Sequence, residues 1–249
     1  MTNNFLKLNG AKTEFIIIGQ KLKVSTLRTF AKVISVGGSA IQSTLKVKNL
    51  GVYIDEHLKM TDHVSHICKT ASMHLRHIGK IRQYLSEDAA TKLMIAFVTS
   101  RLDYCNSLLS NISKDQIQRL QLIQDTAARI VSKTKKFDHI TPALKRLHWL
   151  PISARIDFKL LTLAYRCFHN TAPSYLTEIL PPYTPKRTLR SQDKMLLSAP
   201  KIISSYGKRS FQYAAAFLWN NLPADIRSLE SLASFKRQLK TFLFKIHYP

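Results

Sequence analysis

Acidic residues are scarce in this chain. Asp and Glu total 15 against 38 Lys and Arg, a formal net charge of +23. Two-metal phosphoryl transfer needs clustered carboxylates able to hold ions about 3.5–4 Å apart. Two acidic pairs stand out here, Asp55-Glu56 and Glu87-Asp88. The second follows Ser86 and reads as the first turn of a helix, where carboxylates complement the dipole. The first closes a strand-like segment. No G-x-S-x-G, P-loop, G-x-G-x-x-G or H-E-x-x-H pattern is present, so the common nucleophile, phosphate-loop and zinc-protease signatures are excluded. The residues yield no convincing catalytic centre and no metal site.

Cysteine is also rare. Cys68, Cys105 and Cys167 are odd in number and far apart, which argues against a disulfide framework or a zinc knuckle. All three are expected on apolar helical faces as reduced thiols, in an intracellular protein. Only 7 Gly and 9 Pro occur among 249 residues, too few for a disordered or low-complexity chain. No apolar run approaches the ~18–20 residues of a spanning helix, and MTNNFLKLNG has no signal-like apolar segment. A soluble chain with no membrane partner is expected.

What is plentiful is positive charge, and it is spread along the chain. Residues 1–60 hold 9 basic and 3 acidic residues, 61–136 hold 12 and 6, and 137–249 hold 17 and 6. Without a polyanion such a domain repels itself, so RNA or DNA bound through phosphate contacts is the expected partner. A solvated basic surface without a ligand is the alternative. An acidic membrane is less well supported, because no polybasic cluster flanks an apolar helix.

The pattern along the chain predicts a mainly α protein. TEFIIIG (13–19) reads as a buried strand and KVKNLGVYID (46–55) as a second, with Gly37-Gly38 as a turn between them. From residue 61 helices take over. Thr61 or Asp62 caps a helix whose apolar stripe is Val64, Ile67, Cys68, Ala71, Leu75 and Ile78. Lys69, Arg76 and Lys80 form a second, basic stripe on the same helix. Ser86 caps the next, with Leu93, Phe97, Tyr104, Cys105 and Leu108 expected inside. Ser113-x-x-Gln116 matches a capping box and opens a third helix with Ile117, Leu120, Ile123, Ala127 and Ile130 inside.

These three helices with short connections predict a bundle. After KTKK (133–136), Thr141-Pro142 and then Pro151 are placed to open helices. Loops with short strands are expected over 173–201, and a last helix over 232–246. RLHWLPISARIDFKL (146–160) looks at first like an active site. His148 has no partner at metal spacing and Asp157 no second carboxylate, so packing and an ion pair with a basic neighbour are the expected roles. Trp149 and Leu150 are placed to staple the start of the helix. Arg155, Lys159 and Arg166 follow i, i+4 and i+11 spacing and predict a narrow basic strip suited to phosphates.

Six strings, in order, carry a family resemblance: LKLNGAKTEFIIIG (6–19), KNLGVYIDEHLKM (48–60), SRLDYCNSLL (100–109), RLQLIQDTAARIV (119–131), LHWLPISARIDFKL (147–160) and FLWNNLP (217–223). They resemble the downstream part of the reverse transcriptase of LINE-type, non-LTR retrotransposons of the jockey-like superfamily. The resemblance covers nearly the whole chain and is weakest at 20–46. It implies the end of a polymerase palm at 1–60, a thumb-like helical bundle at 61–136 and a C-terminal domain, helical with short strands, at 137–249. The family's metal-binding palm aspartates precede the LKLN string. The resemblance therefore implies a fragment of an RNA-directed DNA polymerase that is inactive alone and holds no cofactor, where the intact enzyme would use magnesium.

Lys12 matches the lysine of the palm's fourth motif, and here fits a phosphate contact or a solvated strand edge equally. Leu50-Gly51 matches the turn of the primer grip. Lys69, Arg76, Lys80 and Arg101 would track a template–primer duplex, joined by Lys133, Lys135, Lys136, Arg155, Lys159 and Arg166. Arg101 and Asp103 equally fit a role in helix packing. A nuclear or cytoplasmic ribonucleoprotein setting follows. A host-adopted binding or scaffolding protein, or an inert product, are the alternative functions.

Overall fold

A computed structural model describes residues 9–185, 195–204 and 206–249. The chain is mainly helical, with its small sheets in the N-terminal part. It divides into two units, Met1–His66 and Ile67–Pro249.

In the first unit, β1 (Phe15–Ile16) lies parallel to β3 (Ser39–Thr44), which pairs antiparallel with β2 (Val33–Val36). Gly37 and Gly38 join β2 to β3 with φ of +57° and +81°, the left-handed geometry that two-residue hairpin turns demand. Helix α1 (Lys21–Phe30) precedes them. The expected single strand at 46–55 is a second hairpin, β4 (Lys46–Asn49) against β5 (Val52–Asp55), with Lys48 opposite Tyr53. Leu50 and Gly51 make its turn at φ +46° and +85°. The strand expected at 13–19 is reduced to two residues.

Asp55 and Glu56 are fully engaged. Asp55 accepts backbone N–H groups from His57, Lys59 and Met60 at 3.1, 2.9 and 2.6 Å. Glu56 pairs with Arg28 and approaches His57 Nε2 at 3.3 Å. These two acids hold the loop that leads into α2 (Thr61–Ile81).

The second unit holds most of α2, whose inward face is Ile67, Ala71, Leu75 and Ile78. Helix α3 (Glu87–Met94) starts at Ser86, whose Oγ accepts Ala89 N–H at 3.1 Å. A π-helical stretch follows (Ile95–Thr99) and runs into α4 (Ser100–Asp103). This corrects the expected stripe. Ala90, Met94, Val98 and Leu102 are inside, whereas Phe97, Tyr104 and Leu108 are exposed. Those buried positions recur every four residues, which would drift around an α-helix of 3.6 residues per turn. The wider π turn takes up the difference. Cys105 lies at φ +51° in the turn after α4, not on an apolar helical face, and is half-buried.

Helix α5 (Lys114–Ser132) forms as expected, without the capping box. Ser113 makes no side-chain cap bond, and Gln116 Oε1 accepts from Arg119 instead, at 3.0 Å. At its other end, buried Arg82 donates to the carbonyls of Ile130 and Val131 at 2.9 and 2.7 Å, and to Leu85 at 2.7 Å. A guanidinium on the terminal carbonyls satisfies acceptors that the helix leaves open and suits the negative end of its dipole.

Helix α6 (Thr141–Arg146) has Ile140, not Thr141, at its cap position. Central α7 (Ile152–Phe168) follows Pro151 and buries Leu160, Leu161, Ala164 and Tyr165 among others. Each such leucine contributes about 1.5–3 kcal/mol, against a few tenths for an exposed i, i+4 pair such as Asp88–Lys92. Apolar packing therefore holds this unit. Residues 173–201 contain α8 (Ser174–Ile179) and a Pro182–Leu197 bridge in place of the expected short strands, and 186–194 lie outside the described residues.

Helix α9 (Phe211–Asn220) brings Ala214, Ala215 and Ala216 close against α7. Trp219 is fully buried there and donates Nε1–H to Met195 O at 2.8 Å. Asn220 bonds both N–H and C=O of Leu197 at 2.9 Å. After α10 (Ala224–Arg227), α11 (Leu232–His247) inserts Phe235, which stacks on Tyr165 with centroids 4.4 Å apart.

Candidate nucleic-acid interface

The string RLHWLPISARIDFKL is anchored by RLQLIQDTAARIV. Gln121 and Gln124 sit one turn apart on α5. Gln124 Nε2 donates to Leu150 O at 2.8 Å, and Gln121 Oε1 accepts Ile152 N–H at 2.9 Å. Trp149 and Leu150 are buried, and Trp149 N–H donates to Leu144 O at 3.0 Å. Burial and these backbone bonds hold Trp149 and Leu150 in place where α7 begins. His148, at φ +53°, stacks on Phe244 at 5.9 Å.

The basic strip expected on α7 is divided. Arg155 Nε donates to Asp103 Oδ1 at 2.8 Å and its Nη2 meets Oδ2, a fork-to-fork pair with the guanidinium mostly buried. Arg155 is thus used in fixing α4 to α7, a role the spacing on α7 alone did not show. Lys159 remains exposed. Arg166 is exposed but donates to Thr171 O at 3.1 Å, closing the end of α7.

Lys159 lines a groove of about 640 Å³ together with His148, Lys240 of α11 and Ile95. Lys240 is a site residue that single-helix reading did not pair with Lys159, because it arrives from 81 positions away. The Arg155–Asp103 pair lies in the wall of the same groove.

On α2 the basic stripe forms as expected: Lys69, Arg76 and Lys80 are exposed opposite the buried face. His74 of α2 stacks on Phe97 at 5.3 Å. Burial chiefly holds the His74 pKa down, helped by the nearby charges of Arg101 and His77. Arg101 therefore stands beside α2, although it comes from α4.

The KTKK run is an ordered turn. Lys133 caps α5 in the left-handed region at φ +54°. Lys135 is fixed through its backbone, with N–H on Asp138 Oδ2 at 3.2 Å and O accepting from Arg129 at 2.6 Å. Lys136 Nζ lies 5.5 Å from the centre of the exposed Phe137 ring. Lys12 is exposed at the end of a 3₁₀ turn, Gly10–Lys12, and Leu50-Gly51 is the hairpin turn described above; both belong to the first unit.

Asp157 departs from its expected role, and Arg82 takes one that the sequence reading did not name. Asp157 makes no ion pair or hydrogen bond among the described residues. Burial pushes its pKa up to about 6. Arg82 is structural, and its spacing was the available signal: it extends the buried stripe of Leu75 and Ile78 by four residues.

Among the described residues no group of three His, Cys, Asp or Glu is arranged to hold a metal ion. No described helix is long and apolar enough to cross a membrane. Comparison of the chain with protein-family models, curated proteins and solved structures gives no match.

Proposed function

We propose that this chain is a nucleic-acid-binding segment of a LINE-type reverse transcriptase, which grips the phosphate backbone of RNA or DNA and performs no polymerisation by itself. One observation supports this most. The exposed amines and guanidinium of Lys69, Arg76, Lys80, Lys159 and Lys240 make no ion pair among the described residues, while Glu56, Asp62, Glu87, Asp88 and Asp103 are already held by Arg28, Lys46, Arg146, Lys92 and Arg155. The unmatched cations lie on rigid helices, where side chains position a phosphate backbone without reading its sequence. The palm and thumb assignments rest on the six strings quoted above.

Salt-dependent binding tests it. The logarithm of the association constant for a mixed-sequence RNA–DNA duplex should fall linearly with the logarithm of salt concentration. Replacing Lys69, Arg76 and Lys80 with alanine should lower that slope by about 2–3. A flat salt dependence, or a slope unchanged by the triple variant, would remove the phosphate-contact reading. Primer extension with magnesium or manganese should yield no product; templated synthesis would overturn the statement about polymerisation.

A further inference from the structure

A second groove, of about 520 Å³, lies between α7 and α9, within the roughly 300–1,000 Å³ of small-ligand sites. Asp157 and Ser153 of α7, Lys208, Asn111, and Tyr213 and Phe217 of α9 contribute to its lining, and Asp157 and Lys208 are the charged side chains in it. Asp157 is half-buried and has no donor among the described residues. With a pKa of about 6 it is ionised at neutral pH. A carboxylate partly withdrawn from water, with no donor among the described residues, weakens the fold, and such groups gather where ligands bind.

The wall beside it is flat and aromatic. Tyr213 and Phe217 are one turn apart with rings only 8° from parallel and centroids 5.9 Å apart, and Phe217 is 53% exposed. Asn111 Nδ2 donates to Lys208 O at 2.8 Å, which ties the Lys208 backbone to the turn after α4. Lys208 itself is exposed at the rim.

We infer that this groove takes one unpaired guanine base, stacked on Phe217, with Asp157 accepting its N1–H and N2–H and Lys208 meeting the adjoining phosphate. Stacking on an aromatic face is available to every base, so the carboxylate decides the choice. Guanine alone presents two N–H donors side by side, a fork that matches a carboxylate as a guanidinium does. Adenine and cytosine set one amino group beside a ring-nitrogen lone pair, which the carboxylate repels. Uracil and thymine offer a single N–H between two carbonyls. A purely cationic ligand would find one carboxylate beside a lysine on a chain of net charge +23, whereas a nucleotide brings its donors together with a phosphate.

The inference rests on the nucleic-acid reading for the polymer that carries the base, but its test uses single nucleotides. The full chain is titrated with guanosine, inosine and cytidine 5′-monophosphates by calorimetry or protein-observed NMR. GMP should bind about tenfold or more tightly than IMP, which lacks the N2 amino group, or CMP. Asp157→Asn should bring the three within about twofold of one another. Phe217→Ala should weaken all three together. The asparagine variant is expected to be at least as stable as the parent, so lost discrimination reports the site and not unfolding.

Equal binding of the three nucleotides, no binding, or a guanine preference that survives Asp157→Asn would each overturn the pocket. A guanine preference in a chain with flat salt dependence for duplex would sustain the pocket and sink the phosphate interface. Salt-dependent duplex binding with no nucleotide preference would do the reverse.

Discussion

The two units solve the problem of burying apolar surface very differently. Ile67–Pro249 encloses Trp219, Phe235, Met94, Leu120, Leu160 and Leu239 almost completely. Met1–His66 buries Val24, Ile41, Val52, Met60 and Val64, yet leaves Leu22 and Phe30 of α1 about five-sixths exposed, and Leu27, Leu45 and Leu50 more than half exposed. Its strands are two to six residues long. The contrast follows from surface-to-volume scaling, because a unit of this size buries a smaller share of its chain. The first unit adds polar contacts such as Asp55 on three N–H groups to a small apolar core, whereas the second rests on extensive side-chain packing.

The largest effect that would test this contrast is Trp219→Ala. It removes a ring packed on Phe168 and Phe235 at 5.6 and 5.8 Å and a hydrogen bond to Met195. The loss should be about 3–5 kcal/mol by chemical denaturation, and a smaller value would mean that the second unit's core is looser than described. Next comes Arg82→Met, which strands three carbonyls at the end of α5 and near Leu85. We expect about 2–4 kcal/mol, with amide exchange quickening first in the last turn of α5.

Asp157→Asn works in the opposite direction. The folded carboxyl has its pKa raised from 3.8 to about 6, so the folded state binds the proton more tightly. Stability from this group is therefore present below about pH 4 and lost as pH rises to about 6. The variant should flatten that fall and gain about 1–2 kcal/mol at pH 7.5, less than the full shift because water still reaches the group. A destabilised variant at neutral pH would show that Asp157 has an internal partner. The smallest effect is expected in the first unit: Leu22→Ser and Phe30→Ser should change stability by less than about 0.5 kcal/mol. A loss of several kcal/mol would show that α1's outer face is covered in solution.

The sequence was most legible where one helix face meets one core. The α2 stripe from Val64 to Ile78, the α5 stripe and the span of α11 follow from 3.6-residue spacing, because burial and periodicity report the same geometry. Ser86 was legible as a cap because its partner lies three residues away. The first unit was less readable. Neither α1 nor the β2–β3 hairpin had a clear pattern, since a half-buried surface leaves no strict alternation. The stripe reading after Ser86 ran past the helix: α4 ends at Asp103, so Tyr104, Cys105 and Leu108 fall outside it, and Phe97 lies in the π turn at 95–99. The paired glutamines, the Arg155–Asp103 fork and the meeting of Lys159 with Lys240 join residues 26 to 81 positions apart, and no local pattern encodes such pairs.

By itself the sequence determined the helical character, the excess positive charge and the order of helices, all of which are set by local spacing and composition. Only the tertiary structure decided which cations are used up inside the fold and which stay outside. Arg82 and Arg155 differ from the exposed Arg76 in nothing that composition records. They differ because helix ends and a single aspartate come within hydrogen-bond reach of two of them, and a charge taken from water must find such a partner. Asp157 marks the converse case. The fold takes it partly out of water and offers it no partner among the described residues, and that imbalance can be seen only once α7 and α9 are packed together.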